Sequence, residues 1–321
     1  MTTHAPVGAY LLEDPSRPLD WVAIRSLPDE SGPVWVHMDR SDGTSQQWVR
    51  DGAGLDPLVV SGLLDENTRP RITRVGEGLL ATLRGVNLNE GVDEELISLR
   101  MFATRRRIIS LRLHRFVSVR TILDRVESGA GPRTTGGLFA VIVSAVAERA
   151  EPSVHAIDDR LDELEEQMID PERADPDRAE LIEVRRRVIT LLRYLGPQAE
   201  AMRGVEEIAP SWLSADDLRV LYEGTNRLTR LVEDLQAAST RAVVVQDEIV
   251  NRLTDRLGQR TYALTVIAAI VLPLSLLTGV FGMNVGGMPW VETAAGFWIV
   301  CVGMIAIAIL GVWIAVKRHW L

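Results

Sequence analysis

Two apolar runs near the end of the chain, Tyr262–Phe281 and Gly296–Val316, constrain it more than any other feature. Each is about 20 residues long, which as an α-helix covers roughly 30 Å, the thickness of a bilayer's hydrocarbon core. Neither run contains a charged residue. A core hairpin of a soluble protein rarely carries two uncharged stretches of that length. The sequence therefore predicts two membrane-spanning helices joined by a short loop. Upstream of residue 260 the chain reads differently: charge is frequent and no apolar run reaches bilayer length.

The flanks predict the orientation. Arg252, Arg256 and Arg260 precede the first run, and Lys317, Arg318 and His319 follow the second, whereas the loop between holds only Glu292. The positive-inside rule puts both termini in the cytoplasm and the loop outside. The start, "MTTHAPVGAYLLEDPSRP", lacks a basic n-region and a long apolar core, so no signal peptide is expected and the first 260 residues should remain cytoplasmic. The single cysteine, Cys301, lies within the second run, which excludes a disulfide framework and a Cys-type zinc site. A net charge of −9 argues against nucleic acid as a partner. The glycine turns "GVNLNEG" and "RVGEG" are not cofactor fingerprints, and no phosphate loop, nucleophile elbow or His/carboxylate cluster is present, so an enzyme is not expected.

Residues 1–136 read as an α/β domain. "PVWVHM" (33–38), "RITRV" (71–75), "GLLATLRGVNL" (78–88) and "ELISLRMFAT" (95–104) are rich in β-branched and apolar residues and are punctuated by Gly, Asn, Asp and Pro. "MFATRRRIISLRL" suggests two strands joined near Arg105–Arg107, and Ser45–Asp51 and Asp56–Leu64 read as short helices. From residue 137 the period turns helical, with a bend or phase shift expected near Pro152. Residues 137–212 are expected to form an antiparallel hairpin of long helices that turns at "IDPERADPDR" (169–178). Its acidic run, "DDRLDELEEQMIDPERADPD" (158–177), is either a solvated helix face or a surface that concentrates cations. Ser214, with Asp217 three residues on, is a good N-cap for the next helix. A stalk helix is expected over 213–261 that continues as the first membrane helix, 262–283. The outer loop would be 284–295, the second membrane helix 296–316 and the basic tail 317–321. A helix from Asp216 to Phe281 would span roughly 100 Å, a length that suits an oligomeric stalk entering a membrane.

Two membrane helices cannot enclose an aqueous path alone, so ion movement would need several copies lining one helix each around an axis. At 100° per residue, with Ser275 as reference, Thr261, Leu264, Ala268, Leu272, Gly279 and Gly282 fall within about 60°, and Thr278 at the edge of that sector. The opposite face carries Val266, Ile270, Leu277 and Val280. Small residues at this spacing also let membrane helices pack closely with no ion involved. The hydroxyls of Thr261, Ser275 and Thr278 favour water over lipid. Pro273 frees a carbonyl and should kink the helix, which is tolerated beside a cavity or a neighbour. Gly282-Met283-Asn284 falls where this helix ends. Repeated around an axis, Asn284 would make a ring of neutral acceptors suited to a cation that keeps its water shell.

Gly-Met-Asn after a helix containing "LPLSLLTGVF", then a second apolar helix and a basic "KRHWL" end, resembles the CorA family of divalent-cation transporters. "DENTRPRITRVGEGLLATLRGVNLNEG" (65–91) and "GMNVGGMPW" (282–290) are similar to its zinc-associated ZntB branch. Magnesium members usually carry an acidic residue soon after the motif, where Gly286-Gly287 stand here. The resemblance implies an α+β cytoplasmic domain of αβα type, a long helical stalk and two C-terminal transmembrane helices. These would assemble as a funnel-shaped homopentamer in the inner membrane of a bacterium. It implies that the first membrane helix lines the pore and that Gly282, Met283 and Asn284 select hydrated divalent cations at the outer mouth. Leu272 and Ser275 would occupy pore-lining places, Leu272 at a hydrophobic constriction, and Asp247 would be an inner, metal-responsive carboxylate. No bound cofactor is expected. The cargo would be zinc ahead of magnesium or cobalt, with coupling to protons left open, since five scattered histidines and no cysteine pair spell no closed zinc site. The other readings are a magnesium/cobalt channel and, in a different class, a membrane-anchored sensor or scaffold that does not conduct.

Overall fold

The computed structural model describes residues 7–15, 17–27, 32–66, 69–87, 89, 95–169, 178–283 and 294–317 of the 321-residue chain. The chain falls into two compact units, Met1–Val245 and Gln246–Leu321.

The first unit is built on a six-stranded mixed sheet. Its strands are β1 (Gly8–Leu11), β2 (Val34–Asp39), β3 (Arg71–Val75), β4 (Gly78–Val86), β5 (Leu96–Ala103) and β6 (Arg107–Arg112), in the spatial order β1-β2-β6-β5-β4-β3. Only the β2–β6 pair is parallel; the other neighbours are antiparallel. Because side chains alternate across a strand, each cross-strand row commits to one face. Ala9, Val36, Ile109, Phe102 and Leu80 stand opposite one another in successive strands and share a face. They form one core with Trp21 and Ile24 of α1 (Trp21–Ser26), Trp48 and Val49 of the wide turn after α2 (Gly43–Gln47), and Val59 and Leu63 of α3 (Pro57–Leu64). Buried helices α4 (Val117–Glu127) and α5 (Thr135–Glu148), with α7 (Arg178–Arg203), cover the other face, giving three layers.

The strands and the short helices expected near 45–51 and 56–64 are present. The sequence reading did not anticipate β1, α1 and α4. The bend expected near Pro152 is a break: α5 ends at Glu148 and α6 (Glu151–Ile169) begins afresh, with Pro152 in its first turn, where its missing N–H costs nothing. Most of the turn expected over 169–178 lies outside the described residues.

Three local solutions hold this unit. Past the end of β3, the Arg84 N–H of β4 has no strand partner, and the Gln198 side-chain carbonyl of α7 accepts from it at 2.6 Å. Arg100, 1 % exposed on β5, donates to the Leu63 and Glu66 carbonyls, and Arg40 donates to those of Leu64 and Asp65. The two guanidinium groups thus occupy the C-terminal end of α3, where unpaired carbonyls and the helix dipole favour cations. Burial and the neighbouring Arg40 draw the Arg100 pKa down to about 10, so it stays charged.

After the short α8 (Val205–Ile208), Ser214 and Asp217 form the expected capping box. Ser214 Oγ accepts from the Asp217 N–H at 3.2 Å, and Asp217 accepts from the Ser214 N–H at 2.9 Å. From there α9 runs without interruption over Ala215–Phe281. Its early part belongs to the first unit because Leu221, Leu228, Leu231, Leu235, Ala238, Ala242 and Val245 are buried in that unit. The second unit contains the rest of α9 and α10 (Ala294–Lys317).

A candidate pore-lining face on a membrane helix pair

Two stretches are long and apolar enough to cross a membrane, one within α9 and one at Ala295–Ala315 of α10. Within this unit α9 has one covered stripe. Val266 is buried, and Ile270, Leu274 and Leu277 are half-buried. The spacing of four, four and three residues is one helical face. The matching stripe on α10 is made largely of small residues: Gly296 and Ala315 are buried, and Gly303, Ala308 and Gly311 are half-buried. A Cβ built on Gly311 would stand 2.9 Å from Ile270 Cγ1. Bulky aliphatic side chains of α9 therefore seat in a groove of small residues on α10, the means by which membrane helices approach closely where no hydrophobic effect drives them together.

That packing leaves the Ser275 side of α9 bare. Thr261, Leu264, Ala268, Leu272, Ser275, Thr278, Gly279, Gly282 and Met283 are all exposed. The outer face of α10 is bare as well, but its chemistry differs. It presents Phe297, Trp298, Ile299, Val302, Ile305, Ile309, Leu310 and Trp313, a surface suited to acyl chains. The bare face of α9 instead mixes small residues and hydroxyls with Leu264, Val271 and Leu272. Thr278 Oγ1 donates to the Ser275 carbonyl at 2.9 Å, as threonines in helices commonly do. The side-chain hydroxyls of Ser275 and Thr261 have no partner among the described residues.

α9 continues through Pro273, so the Ala269 carbonyl loses its usual donor four residues on. The helix closes with Gly282 N–H to the Thr278 carbonyl at 2.8 Å and Met283 N–H to the Val280 carbonyl at 3.3 Å. A Cβ on Gly282 would press on the Thr278 carbonyl at 2.9 Å, which ties the exit from the helix to a glycine. Asn284 and the loop after it lie outside the described residues. Asp247 is exposed and makes no ion pair among the described residues, whereas its neighbour Glu248 is held by Arg252 at 3.0 Å. At the other end of the pair, Lys317 Nζ sits 4.6 Å above the Trp313 ring, an interfacial arrangement of cation and aromatic.

The acidic run has a use that sequence reasoning missed. Arg241 of α9 pairs with Glu165 at 2.9 Å, with Asp162, and with Asp158 at 3.8 Å, all on α6. Hydrogen bonds that Arg241 donates to Glu165 and Asp162 hold its pKa above the ordinary value, while burial pushes the Asp158 carboxyl up. One side of the run is thus clamped to α9. Among the described residues, no three His, Cys, Asp or Glu side chains converge as a metal cluster would. The small stripe on α10 was also missed; a helical wheel of the second apolar run, like that of the first, would have found it.

A soluble α/β unit, a long helix and two apolar C-terminal helices together define a membrane transporter of the CorA type. The chain belongs to the family described as CorA-like Mg2+ transporter protein, whose model matches residues 30–318. It is 39 % identical over 297 residues to the divalent cation transporter CmaX of Pseudomonas aeruginosa, covering 92 % of this chain and 89 % of that one. It is 30 % identical over 301 residues to the zinc transport protein ZntB of Yersinia pseudotuberculosis, covering 94 % and 91 %. The solved structure of full-length CmaX superposes with a TM-score of 0.84 at 36 % identity, covering 98 % of each chain. The protein is accordingly a divalent-cation transporter of this family.

Proposed function

We propose that the protein carries zinc through a homo-oligomeric pore, five copies around an axis, lined by the Ser275 side of α9. The observation that carries this reading is the division of labour on α9. α10 covers Val266, Ile270, Leu274 and Leu277, and the stripe bearing Ser275 and Thr278 is left without a partner within one chain. A bare hydroxyl face is costly toward lipid and useful toward water. Leu264 and Leu272 on the same face would form apolar constrictions. Gly282, Met283 and Asn284 would form the outer mouth, where a ring of asparagine amides accepts hydrogen bonds from the water shell of the ion. Both termini would be cytoplasmic, with Asp247 near the inner entrance.

Zinc is favoured over magnesium and cobalt because relatives named for zinc transport align over nearly the whole chain, and because Gly286-Gly287 leaves the loop uncharged beside the motif. With no convergent ligand cluster among the described residues, the ion would pass partly hydrated. The membrane potential supplies about 4.6 kcal/mol per 100 mV for a doubly charged ion, and a proton gradient could add to it.

The test is uptake of zinc and of magnesium into proteoliposomes, with and without a pH gradient, by the wild type and by Asn284→Ala. Zinc uptake that exceeds magnesium uptake and collapses in the variant, while the oligomer survives, supports the proposal. Equal transport of both metals would overturn the zinc assignment. Full transport by Asn284→Ala would overturn the role of the motif.

A further inference from the structure

The first unit contains a further cavity beside its sheet. It has a volume of about 250 Å³ and lies at the carboxyl ends of the parallel strands β2 and β6, where α4 begins. Val7, His37, Arg112, Arg115, Arg120, Phe116 and Leu123 contribute to its wall, and among the described residues no carboxylate does. Arg120 is already engaged by Asp124 at 2.7 Å. Arg112 and Arg115 have no side-chain ion pair among the described residues. The Arg112 Nε–H is buried without an acceptor. A buried guanidinium donor left unpaired is destabilising and uncommon. Asp39, opposite Arg112 across β2 and β6, acts on it only through space, so Arg112 and Arg115 bring net positive charge to one partly open cavity, half of a site whose other half is an anion.

His37 narrows the chemistry. It is 2 % exposed, and its Nδ1 lies 2.8 Å from Ser110 Oγ, which also accepts from Trp35 Nε1 at 2.8 Å. Burial, reinforced by Arg112, lowers the His37 pKa to about 3, so the ring is a neutral wall and the positive charge of the cavity is that of the arginines. Guanidinium forks match tetrahedral oxyanions in bidentate fashion, which favours phosphate over a simple halide. The volume falls below the roughly 300–1,000 Å³ of pockets for larger organic ligands. Phe116 and Leu123 offer an apolar wall beside the charge. Open α/β sheets commonly place ligands outside the carboxyl ends of their strands.

We propose that this cavity binds a small phosphate-bearing anion, such as a pyrophosphate or a compact phosphate monoester, gripped by Arg112 and Arg115. The test of this site needs no transport.

The test is calorimetric titration of pyrophosphate and of inorganic phosphate into the purified full chain, in a buffer free of divalent cations so that the probe does not sequester metal. Arg115→Gln is the main variant, because that side chain is exposed and its loss does not endanger folding. Saturable binding of either probe to the wild type, weakened about tenfold or more in Arg115→Gln, is the expected result. Arg112→Lys, which keeps the charge and loses the fork, should also weaken binding, with an unchanged melting temperature as the control for folding. Arg219→Gln, an exposed position on α9, should bind as the wild type does. Absence of binding by either probe up to about 10 mM, a free energy near −2.7 kcal/mol, would overturn the proposal. So would equal binding by Arg115→Gln, or an equal loss in Arg219→Gln, which would mark diffuse electrostatic attraction.

Discussion

Ile270 of α9 lies over Gly311 of α10, so close that a single carbon added at position 311 would stand 2.9 Å from its Cγ1. The contact fixes which side of α9 is spent on the helix pair and therefore which side is left over. Replacing Gly311 by leucine should prise the pair apart at a cost of about 1–3 kcal/mol, the usual range for overpacking. A lower melting temperature in detergent would register it. A variant as stable as the wild type would show that the two helices do not pack as described.

The uncovered face of α9 can be probed in a background without native cysteine, Cys301→Ala, since Cys301 is the only one in the chain. Ser275→Cys should react with charged, water-soluble thiol reagents, and the modification should block metal uptake. Ile309→Cys, on the outer face of α10, should resist the same reagents and leave uptake intact. Reversed reactivities would place Ser275 against lipid.

Arg241 binds Glu165, Asp162 and Asp158 together. All four side chains are at least a third exposed, so solvent screens the network. Arg241→Met is expected to cost roughly 1 kcal/mol at low salt and less at high salt. Thermal unfolding at two ionic strengths measures both. A cost that does not fall with salt would mean that the arginine acts through its alkyl stem.

Burial of His37 makes a prediction about acid. Its folded pKa, about 3, lies below the ordinary 6.5. Between those values the unfolded chain binds the additional proton, so stability must fall as pH falls through this window. The contribution approaches about 1.4 kcal/mol per pH unit within it and vanishes above it. His37→Gln should flatten the pH dependence of unfolding between about pH 6 and pH 4 relative to the wild type, since native carboxylates contribute equally to both. Identical slopes would show that the imidazole becomes protonated in the folded protein.

Much of this architecture is legible in the sequence, for identifiable reasons. β2, β4, β5 and β6 announce themselves because both faces of the sheet are covered, which makes their apolar runs dense. α9 is legible because nothing between the Ser214 cap and Pro273 can stop a helix. β1 is four residues long at the sheet edge, too short to carry a period. α4 has a readable stripe in Val119, Ile122, Leu123 and Val126, but Phe116 caps it without a side-chain hydrogen bond, so its start bears no signal. In the membrane pair, hydroxyls mark the phase of α9, whereas α10 has only small residues among larger apolar ones. The clamp by Arg241 depends on residues 76 or more positions apart, a distance that no local pattern encodes.

The arginines at the end of α3 bear on life among multivalent ions. A buried guanidinium is ordinarily matched by an acidic side chain, and such a partner can be captured by a passing metal or neutralised by acid. Arg100 and Arg40 direct their hydrogen bonds instead to main-chain oxygens, which do not titrate at physiological pH, with the Asp65 carboxylate acting on Arg100 only through space. The hydrogen bonds that tie sheet to helix here thus offer a passing cation no carboxylate acceptor to compete for.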